Sequence, residues 1–287
     1  MKKYTLICFA LPHLTLFASY IPPAATAILV MFEGNGTRQL PERLPYYSWV
    51  PFGFDTGPSY LIALGYQAGP MFSYGYSISG MDALCYGLML CIAGNLAIIQ
   101  GAFLTIRERS LKRIKGPEWA ADGLYNSACL NAAMNGEMRS ICRNLQTVLN
   151  SCKDLEHLQK YVILAQVSTI QMIICSCLYL VSTVPINSKQ FYAEIVYLVA
   201  MGIQPFFLCL FGNEVTFQAK YMPDYLWQCD WLAADKKFKK SMIITMARLS
   251  KPVSLTAGNF ASLTLTTFVS IMKASYSFFT FLKNTGE

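Results

Sequence analysis

The chain has 287 residues, of which 54% are hydrophobic and 14% are charged, and its mean hydropathy is +0.36. Soluble domains carry about 25% charged residues, so this composition excludes an ordinary soluble protein and predicts an all-α polytopic membrane protein. The net charge of +7 is distributed between apolar segments rather than gathered in one patch, and no nucleic-acid partner is expected.

The first apolar segment, residues 4–31, is interrupted by Pro12 and by Pro22-Pro23. A cleaved signal peptide is one interpretation, because Ala25-Thr26-Ala27 resembles a small-residue cleavage site. A kinked transmembrane helix is favoured, because apolar residues continue past Ala27. Both interpretations place residue 32 outside the cell.

A polar loop rich in glycine and proline follows, over residues 32–65. It contains the acceptor sequence Asn35-Gly36-Thr37, which is glycosylated only where it faces the lumen or the outside. The loop also carries many aromatic residues, which predicts an ordered lid near the membrane interface.

Three further apolar segments follow, at residues 67–106, 161–184 and 191–211. The first contains one charge, Asp82, which is expected to face the bundle because a carboxylate is costly against lipid. Charged connections separate the segments at residues 107–160 and 212–251.

The final segment, Pro252–Leu282, is long enough to cross a bilayer as a helix, but it carries ten Ser and Thr residues and one lysine. Its polar residues recur at helical spacing, at Thr266, Ser270, Lys273, Ser277 and Thr280. Such a stripe is typical of a pore-lining helix, but it is also typical of a helix that packs its small polar side on other helices. On the stripe alone, helix packing is favoured.

Orientation follows from the distribution of basic residues. The 107–160 and 212–251 connections carry sixteen Lys and Arg, whereas the 32–65 loop and the short 185–190 turn carry three. Cytosolic connections are enriched in Lys and Arg, so the first set is predicted to be cytosolic. The N-terminus is then cytosolic, and Asn35 and the C-terminus are extracellular. We therefore divide the chain into a transmembrane bundle, residues 1–215, with the extracellular loop 32–65 and the cytosolic connection 107–160, and a C-terminal part, residues 216–287, which comprises a cytosolic segment and the final helix.

Sequence motifs for catalysis are absent. The chain has two histidines and no metalloprotease helix motif, nucleophile elbow, phosphate loop or dinucleotide fingerprint. An enzyme is not expected, and neither a cofactor nor a metal site is predicted.

The C-terminal half resembles the insect odorant receptor family. The motifs that carry the resemblance are Cys209-Leu-Phe-Gly-Asn-Glu-Val215, Asp230-Trp231, Phe238-Lys239-Lys240, the run from Lys251 to Phe260, and Ser275-Tyr-Ser277. Upstream, the run from Leu44 to Phe52, Gly57-Pro-Ser-Tyr60, Tyr66-Gln67, Asp82 and Gly87-Leu-Met89 are also similar to that family. Members have seven helices, and the five segments of this chain resemble the third to the seventh.

The resemblance implies an odorant-binding subunit of a ligand-gated, non-selective cation channel. Members assemble as tetramers with a shared co-receptor subunit in the plasma membrane of olfactory sensory neurons. The cytosolic ends of the later helices form a central anchor, which implies that residues 216–287 are a cytosolic anchor segment followed by the pore-lining helix. The last helix lines the pore, which implies pore-lining roles for Thr266, Ser270, Lys273, Ser277 and Phe281. Phe281 falls at the apolar constriction, where the family usually has an aliphatic residue. The pocket for a volatile odorant lies in the outer half of the bundle, which implies ligand contacts from Phe17, Tyr20, Met71, Tyr74, Ser77 and Tyr197.

Two other functions remain open at this stage. The chain could be a truncated, non-conducting product that acts as a regulatory or dominant-negative partner, because two helices of the family pattern are missing from it. It could also be a G-protein-coupled receptor, which would require the opposite orientation in the bilayer.

Overall fold

The computed structural model describes residues 2–33, 40, 44–46, 48–114, 127–251 and 253–285. These residues form seven helices and one two-stranded sheet. In chain order the elements are α1 (Lys2–Glu33), α2 (Gly57–Leu104), α3 (Ile106–Ile114), α4 (Ala128–Thr183), α5 (Lys189–Trp227), α6 (Lys236–Leu249), β1 (Thr256–Ala257), β2 (Ala261–Ser262) and α7 (Leu265–Thr285).

Four stretches of the described residues are long and apolar enough to cross a membrane: His13–Phe32, Gly57–Leu104, Ala128–Thr183 and Gln190–Trp227. The helix α7 is not one of them. With 21 residues it is long enough, about 31 Å at ~1.5 Å per residue, but its polar stripe lowers its hydropathy. Four of the five predicted segments therefore fold as helices almost throughout, and the fifth is helical from Leu265 onward.

Two predicted boundaries are wrong. The segment Pro252–Leu282 is not one helix, because a β-hairpin comes first and α7 begins at Leu265. The loop after α1 is also shorter than the predicted 32–65, because α2 begins at Gly57. Thr56 caps this helix: its backbone N–H donates to Ser59 Oγ at 3.1 Å, and Ser59 Oγ donates to the Thr56 carbonyl at 2.9 Å. Together with Pro58 in the first turn, this is a capping arrangement that residue polarity alone does not indicate.

The hairpin β1–β2 turns at Gly258 and Asn259, whose φ angles are +60° and +64°. These two residues with positive φ lie in a three-residue loop between the paired Ala257 and Ala261, and the Phe260 N–H donates to the Ala257 carbonyl at 3.0 Å to close the turn. A side chain at Gly258 would also meet Leu164 of α4, since a Cβ there would lie 2.5 Å from Leu164 Cδ2. The hairpin is fastened to α4 by two hydrogen bonds, from Gly258 N–H to the Lys160 carbonyl at 2.9 Å and from Thr256 Oγ1 to Glu156 Oε1 at 2.6 Å.

The chain forms two compact units. The first contains residues 1–87 and 189–200, and the second contains residues 88–188 and 201–287. In the second unit α4 packs against α3, α6, the hairpin and α7. This helix has 56 residues, about 84 Å, so the charged segment predicted as a connection continues directly into the apolar segment.

Candidate functional site

The first unit contains an aromatic cluster between α1, the α1–α2 loop and the first half of α2. Its buried members are Leu16, Tyr20, Ala27, Tyr60 and Leu64, and partly buried residues around them include Tyr46, Phe54, Met71 and Phe72. The aromatic cluster lies in the unit to which all six predicted odorant contacts belong.

Phe72 links the two helices of the cluster. Its ring centroid lies 5.3 Å from that of Phe17 and 5.8 Å from that of Tyr20. Tyr20 also lies 6.2 Å from Tyr46 of the loop, measured between ring centroids. Such separations are typical of tilted aromatic pairs, which pack favourably. The structure therefore brings together three of the six predicted contacts, Phe17, Tyr20 and Met71.

The hydroxyl group of Tyr20 is the polar atom at the centre of this cluster. Tyr20 is 6% exposed, and its Oη has no hydrogen-bond partner in the part of the chain that the structure describes. A buried hydroxyl without a partner is unfavourable, so a ligand that supplies an acceptor would stabilise it.

The loop above the cluster is held to α2 by Gln67, which is buried. Its Nε2 donates to the Tyr46 carbonyl and, at 2.9 Å, to Ser48 Oγ. The Tyr46 N–H donates in return to Gln67 Oε1 at 3.4 Å. One amide side chain thus positions the loop residue that stacks beside Tyr20.

The other three predicted contacts are not part of this cluster. Tyr74 and Ser77 are exposed, and the Ser77 hydroxyl donates to the Ser73 carbonyl of its own helix at 2.9 Å. Tyr197 is half-buried in the same unit. Asn35, the predicted glycosylation site, lies outside the described residues.

Sequence reasoning missed Phe72, Tyr46 and the role of Gln67. Phe72 stands next to the predicted Met71, and Gln67 is a polar residue in a run of apolar ones, which is a usable signal for a buried polar contact. Tyr46 gave no such signal, because its position in the loop depends on hydrogen bonds with the Gln67 amide.

The second unit contains the predicted pore-lining residues on α7. Thr266, Ser270, Lys273, Ser277 and Phe281 are all exposed in the protomer, as is Thr280. The buried side of the same helix carries Ile271 and Ser275. Phe268 fixes this side against α5, with its ring centroid 5.5 Å from that of Phe206.

Hydroxyl groups on the exposed stripe bond to their own helix. Ser270 Oγ donates to the Thr266 carbonyl and Ser277 Oγ donates to the Lys273 carbonyl, both at 3.0 Å. Each hydroxyl therefore uses its hydrogen within the helix and keeps its oxygen lone pairs free for water or a cation.

Polar contacts join α4 to the N-terminus of α6 and to α3. Asn135 Nδ2 donates to both carboxylate oxygens of Asp235, at 3.0 and 2.9 Å, while Asp235 accepts from the Phe238 N–H at 2.9 Å as the N-cap of α6. Glu137 of α4 pairs with Arg113 at 3.0 Å and with Arg109 at 3.5 Å.

A small cleft lies near these contacts, beside an ion pair between Arg107 Nε and Asp230 Oδ2 at 3.2 Å. Next to it, burial and the neighbouring Asp230 carboxylate raise the pKa of the Cys229 thiol to about 11. Cys229 is therefore a structural thiol rather than a reactive one.

Comparison with known proteins gives matches of the chain within one protein family. The family model described as 7tm Odorant receptor matches residues 3–276. Odorant receptor 94a of Drosophila melanogaster is 27% identical over 247 residues, which cover 85% of this chain and 59% of that protein. Odorant receptor 2a of the same species is 35% identical over 89 residues, which cover 31% of this chain and 22% of that protein. The chain thus spans about three fifths of the length of the first of these relatives.

Solved structures share the fold. The insect olfactory receptor OR5 from Machilis hrabei, in complex with eugenol, is similar over 99% of this chain and 66% of that chain, with a TM-score of 0.77 and 16% identity. A second structure of the same receptor gives a TM-score of 0.67 at 16% identity over 98% of this chain and 67% of that one. The predicted helical membrane fold is confirmed.

Proposed function

Because this chain belongs to the 7tm odorant receptor family, we propose that it acts as the odorant-binding subunit of a ligand-gated, non-selective cation channel. The observation that carries the proposal is the match of the family model to residues 3–276. The aromatic cluster in the first unit and the exposed polar stripe on α7 supply the two parts that such a subunit needs.

The odorant site of this proposal is built around Tyr20, with Phe17 and Met71 beside it. Tyr20 is buried, whereas Phe17 is 48% exposed, so the cluster has a buried polar group and an aromatic residue at its surface. An apolar lining with one polar group is the usual composition of a small-molecule pocket. Tyr74, Ser77 and Tyr197 belong to the same unit and are the further candidate contacts of this proposal.

The pore of this proposal is lined by the α7 stripe. Five of its residues, Thr266, Ser270, Lys273, Ser277 and Phe281, are exposed on the isolated protomer. A helix with a polar exposed side is unfavourable against lipid, but it is well placed around a water-filled axis formed by several subunits. Phe281, 65% exposed, is the candidate apolar constriction.

Odorant binding would open the pore by stabilising one of two arrangements. A ligand can shift a conformational equilibrium only by its difference in affinity for the two states, so the aromatic cluster must differ between the closed and open channel. In this proposal the complex is a tetramer that includes a shared co-receptor subunit, in the plasma membrane of olfactory sensory neurons. Residues 107–160 and the anchor segment are cytosolic, and the C-terminus is extracellular.

The test is odorant-evoked current in cells that express the receptor together with the co-receptor subunit. Ser277→Leu places a bulky apolar side chain on the stripe and is expected to reduce the current by about tenfold or more, with unchanged surface expression. Ser176→Leu is the matched control. Ser176 is an exposed serine on α4 whose hydroxyl also bonds to its own helix, to the Met172 carbonyl at 2.9 Å.

If the Ser277→Leu variant gave a full current at normal surface expression, α7 would not line the pore. Equal losses in both variants would show that the receptor tolerates no added bulk on its helices and would also count against a specific pore role. Ser275→Leu is expected to reduce folding and surface expression rather than conduction, because Ser275 is fully buried and a larger side chain there has no space.

A further inference from the structure

The exposed stripe of α7 contains one positive charge, Lys273, near the middle of the helix. The helix has 21 residues and no acidic residue among them. Lys273 is exposed, and the ion pairs among the described residues involve arginines at 107, 109 and 113 rather than this lysine. Its charge therefore acts on the water and ions beside the stripe.

Two apolar stretches of the same unit also contain no carboxylate. Residues 161–183 of α4 contain no Asp or Glu, and neither do residues 201–213 of α5. Within these two stretches α4 and α5 offer no counter-charge, and the acidic residues of α5 that flank its stretch are Glu194 and Glu214. A charged lysine in that setting is stable where water surrounds it, because placing it at the centre of a lipid bilayer costs about 2.5–3.5 kcal/mol.

The groups on either side of Lys273 have the opposite electrostatic character. Ser270 and Ser277 donate their hydrogens to carbonyls of α7 and present oxygen lone pairs outward. Hydroxyl oxygens attract cations, whereas an ammonium group repels them. The stripe therefore combines oxygen groups that favour cations with one group that opposes them, and the opposition is twice as strong for a divalent as for a monovalent ion.

From this arrangement we propose that Lys273 is a selectivity-determining residue that lowers the permeability of the channel to divalent cations relative to monovalent ones. The proposal rests on the proposed pore-lining role of α7. Near a water-filled axis the lysine does not block monovalent ions, because water and salt screen its charge, but it raises the barrier for Ca²⁺ more than for Na⁺.

The experiment measures reversal potentials of odorant-evoked currents with Na⁺ and then Ca²⁺ as the main external cation. Lys273→Glu is expected to raise the ratio of Ca²⁺ to Na⁺ permeability by about fivefold, and Lys273→Gln by about twofold, because the charge at the stripe changes by two units and by one. Lys273→Arg keeps the charge and is expected to leave the ratio unchanged.

Lys283→Glu is the matched control on the same helix. Lys283 is also exposed, but it lies ten residues later, in the last turn, and ten residues make ~2.8 turns, which rotates it off the stripe. We expect no change in the permeability ratio. An equal shift of the permeability ratio in the Lys273→Glu and Lys283→Glu variants would indicate a general surface-charge effect and would overturn the proposal.

A separate measurement distinguishes a failure of the selectivity role of Lys273 from a failure of the proposed pore-lining role of α7. The Ser277→Cys variant is treated with a charged thiol reagent during odorant stimulation. If the reagent blocks the current while Lys273→Glu leaves the permeability ratio unchanged, α7 lines the pore and the selectivity role of Lys273 is overturned. If neither variant has an effect, the pore role of α7 fails, and the inference about Lys273 fails with it.

Discussion

Tyr20 has a buried hydroxyl group for which the described residues provide no hydrogen-bond partner. Tyr20→Phe removes that group and keeps the ring that packs on Phe72 and Tyr46. We expect the unliganded protein to become slightly more stable, by about 1 kcal/mol, because an unsatisfied polar atom is lost. The apparent melting temperature in detergent measures this effect.

The same variant separates odorants by their chemistry. If the Tyr20 hydroxyl meets the ligand, sensitivity to an odorant with a ketone or ester oxygen should fall about tenfold, whereas sensitivity to a hydrocarbon of the same size should not fall. Dose–response curves for such a pair in one cell line provide the comparison. Equal changes for both odorants would place the ligand away from Tyr20.

How far a residue can be assigned from the sequence depends on what holds it in place. Phe17, Tyr20 and Met71 were proposed from the family resemblance, and the structure brings them around Phe72. Phe72 could not be chosen over its apolar neighbours from the sequence, because its position depends on the packing of α1 against α2. The placement of Tyr46 could not be predicted either, because the Gln67 amide fixes it across 21 positions of the chain.

At the scale of secondary structure, the contact between Asn135 and Asp235 tests how α4 is joined to α6. Asn135→Ala removes both hydrogen bonds to a half-buried carboxylate that also caps α6. We expect a loss of about 1–3 kcal/mol, because Asp235 keeps its capping bond but loses its side-chain donor. A lower apparent melting temperature with a normal odorant threshold among the surviving channels is the expected result.

Asn95→Ala provides the comparison for this substitution. Asn95 is exposed, and its amide donates within α2, to the Cys91 carbonyl at 2.8 Å. Alanine is the better helix former, so Asn95→Ala should be neutral or slightly stabilising. If the two variants melted at the same temperature, the bond between Asn135 and Asp235 would have no net value for stability.

The elements themselves were predictable where hydropathy and periodicity agree. Four of the five predicted segments are helical almost throughout and the fifth is helical from Leu265 onward, and the buried side of α7 lies opposite most of the predicted stripe. The hairpin before α7 was missed because each of its strands has only two residues, which is too short for an alternating pattern to indicate a strand. What fixes it is contact with Glu156, Lys160 and Leu164 of α4, nearly 100 positions earlier in the chain, and no local pattern reports such contacts.

For the whole molecule, the distribution of charge carries the orientation proposal. Residues 107–160 and 212–251 hold sixteen of the 23 Lys and Arg residues. In the structure part of this charge pairs within the second unit, as in the contacts of Arg109 and Arg113 with Glu137. The positive-inside rule counts basic residues and not net charge, so this pairing leaves the orientation argument intact.

Glycosylation tests this orientation directly. Asn35-Gly36-Thr37 should carry a glycan if the loop after α1 is extracellular, and Asn35→Gln should then abolish the shift on a gel after deglycosylation. Ala128→Thr in the Asn35→Gln background creates an acceptor sequence at Asn126, in the 107–160 connection. That site should remain unmodified, because the connection is proposed to be cytosolic.

The opposite glycosylation pattern would show that the molecule has the reverse orientation in the bilayer. A glycan on the Ala128→Thr variant and none at Asn35 would place the basic connections outside and the loop inside, against the positive-inside rule. The odorant site would then face the cytosol, where a volatile ligand arriving from outside would have to cross the membrane first. Such a result would reopen the G-protein-coupled receptor hypothesis, whereas the expected pattern would place the aromatic cluster on the side from which odorants arrive.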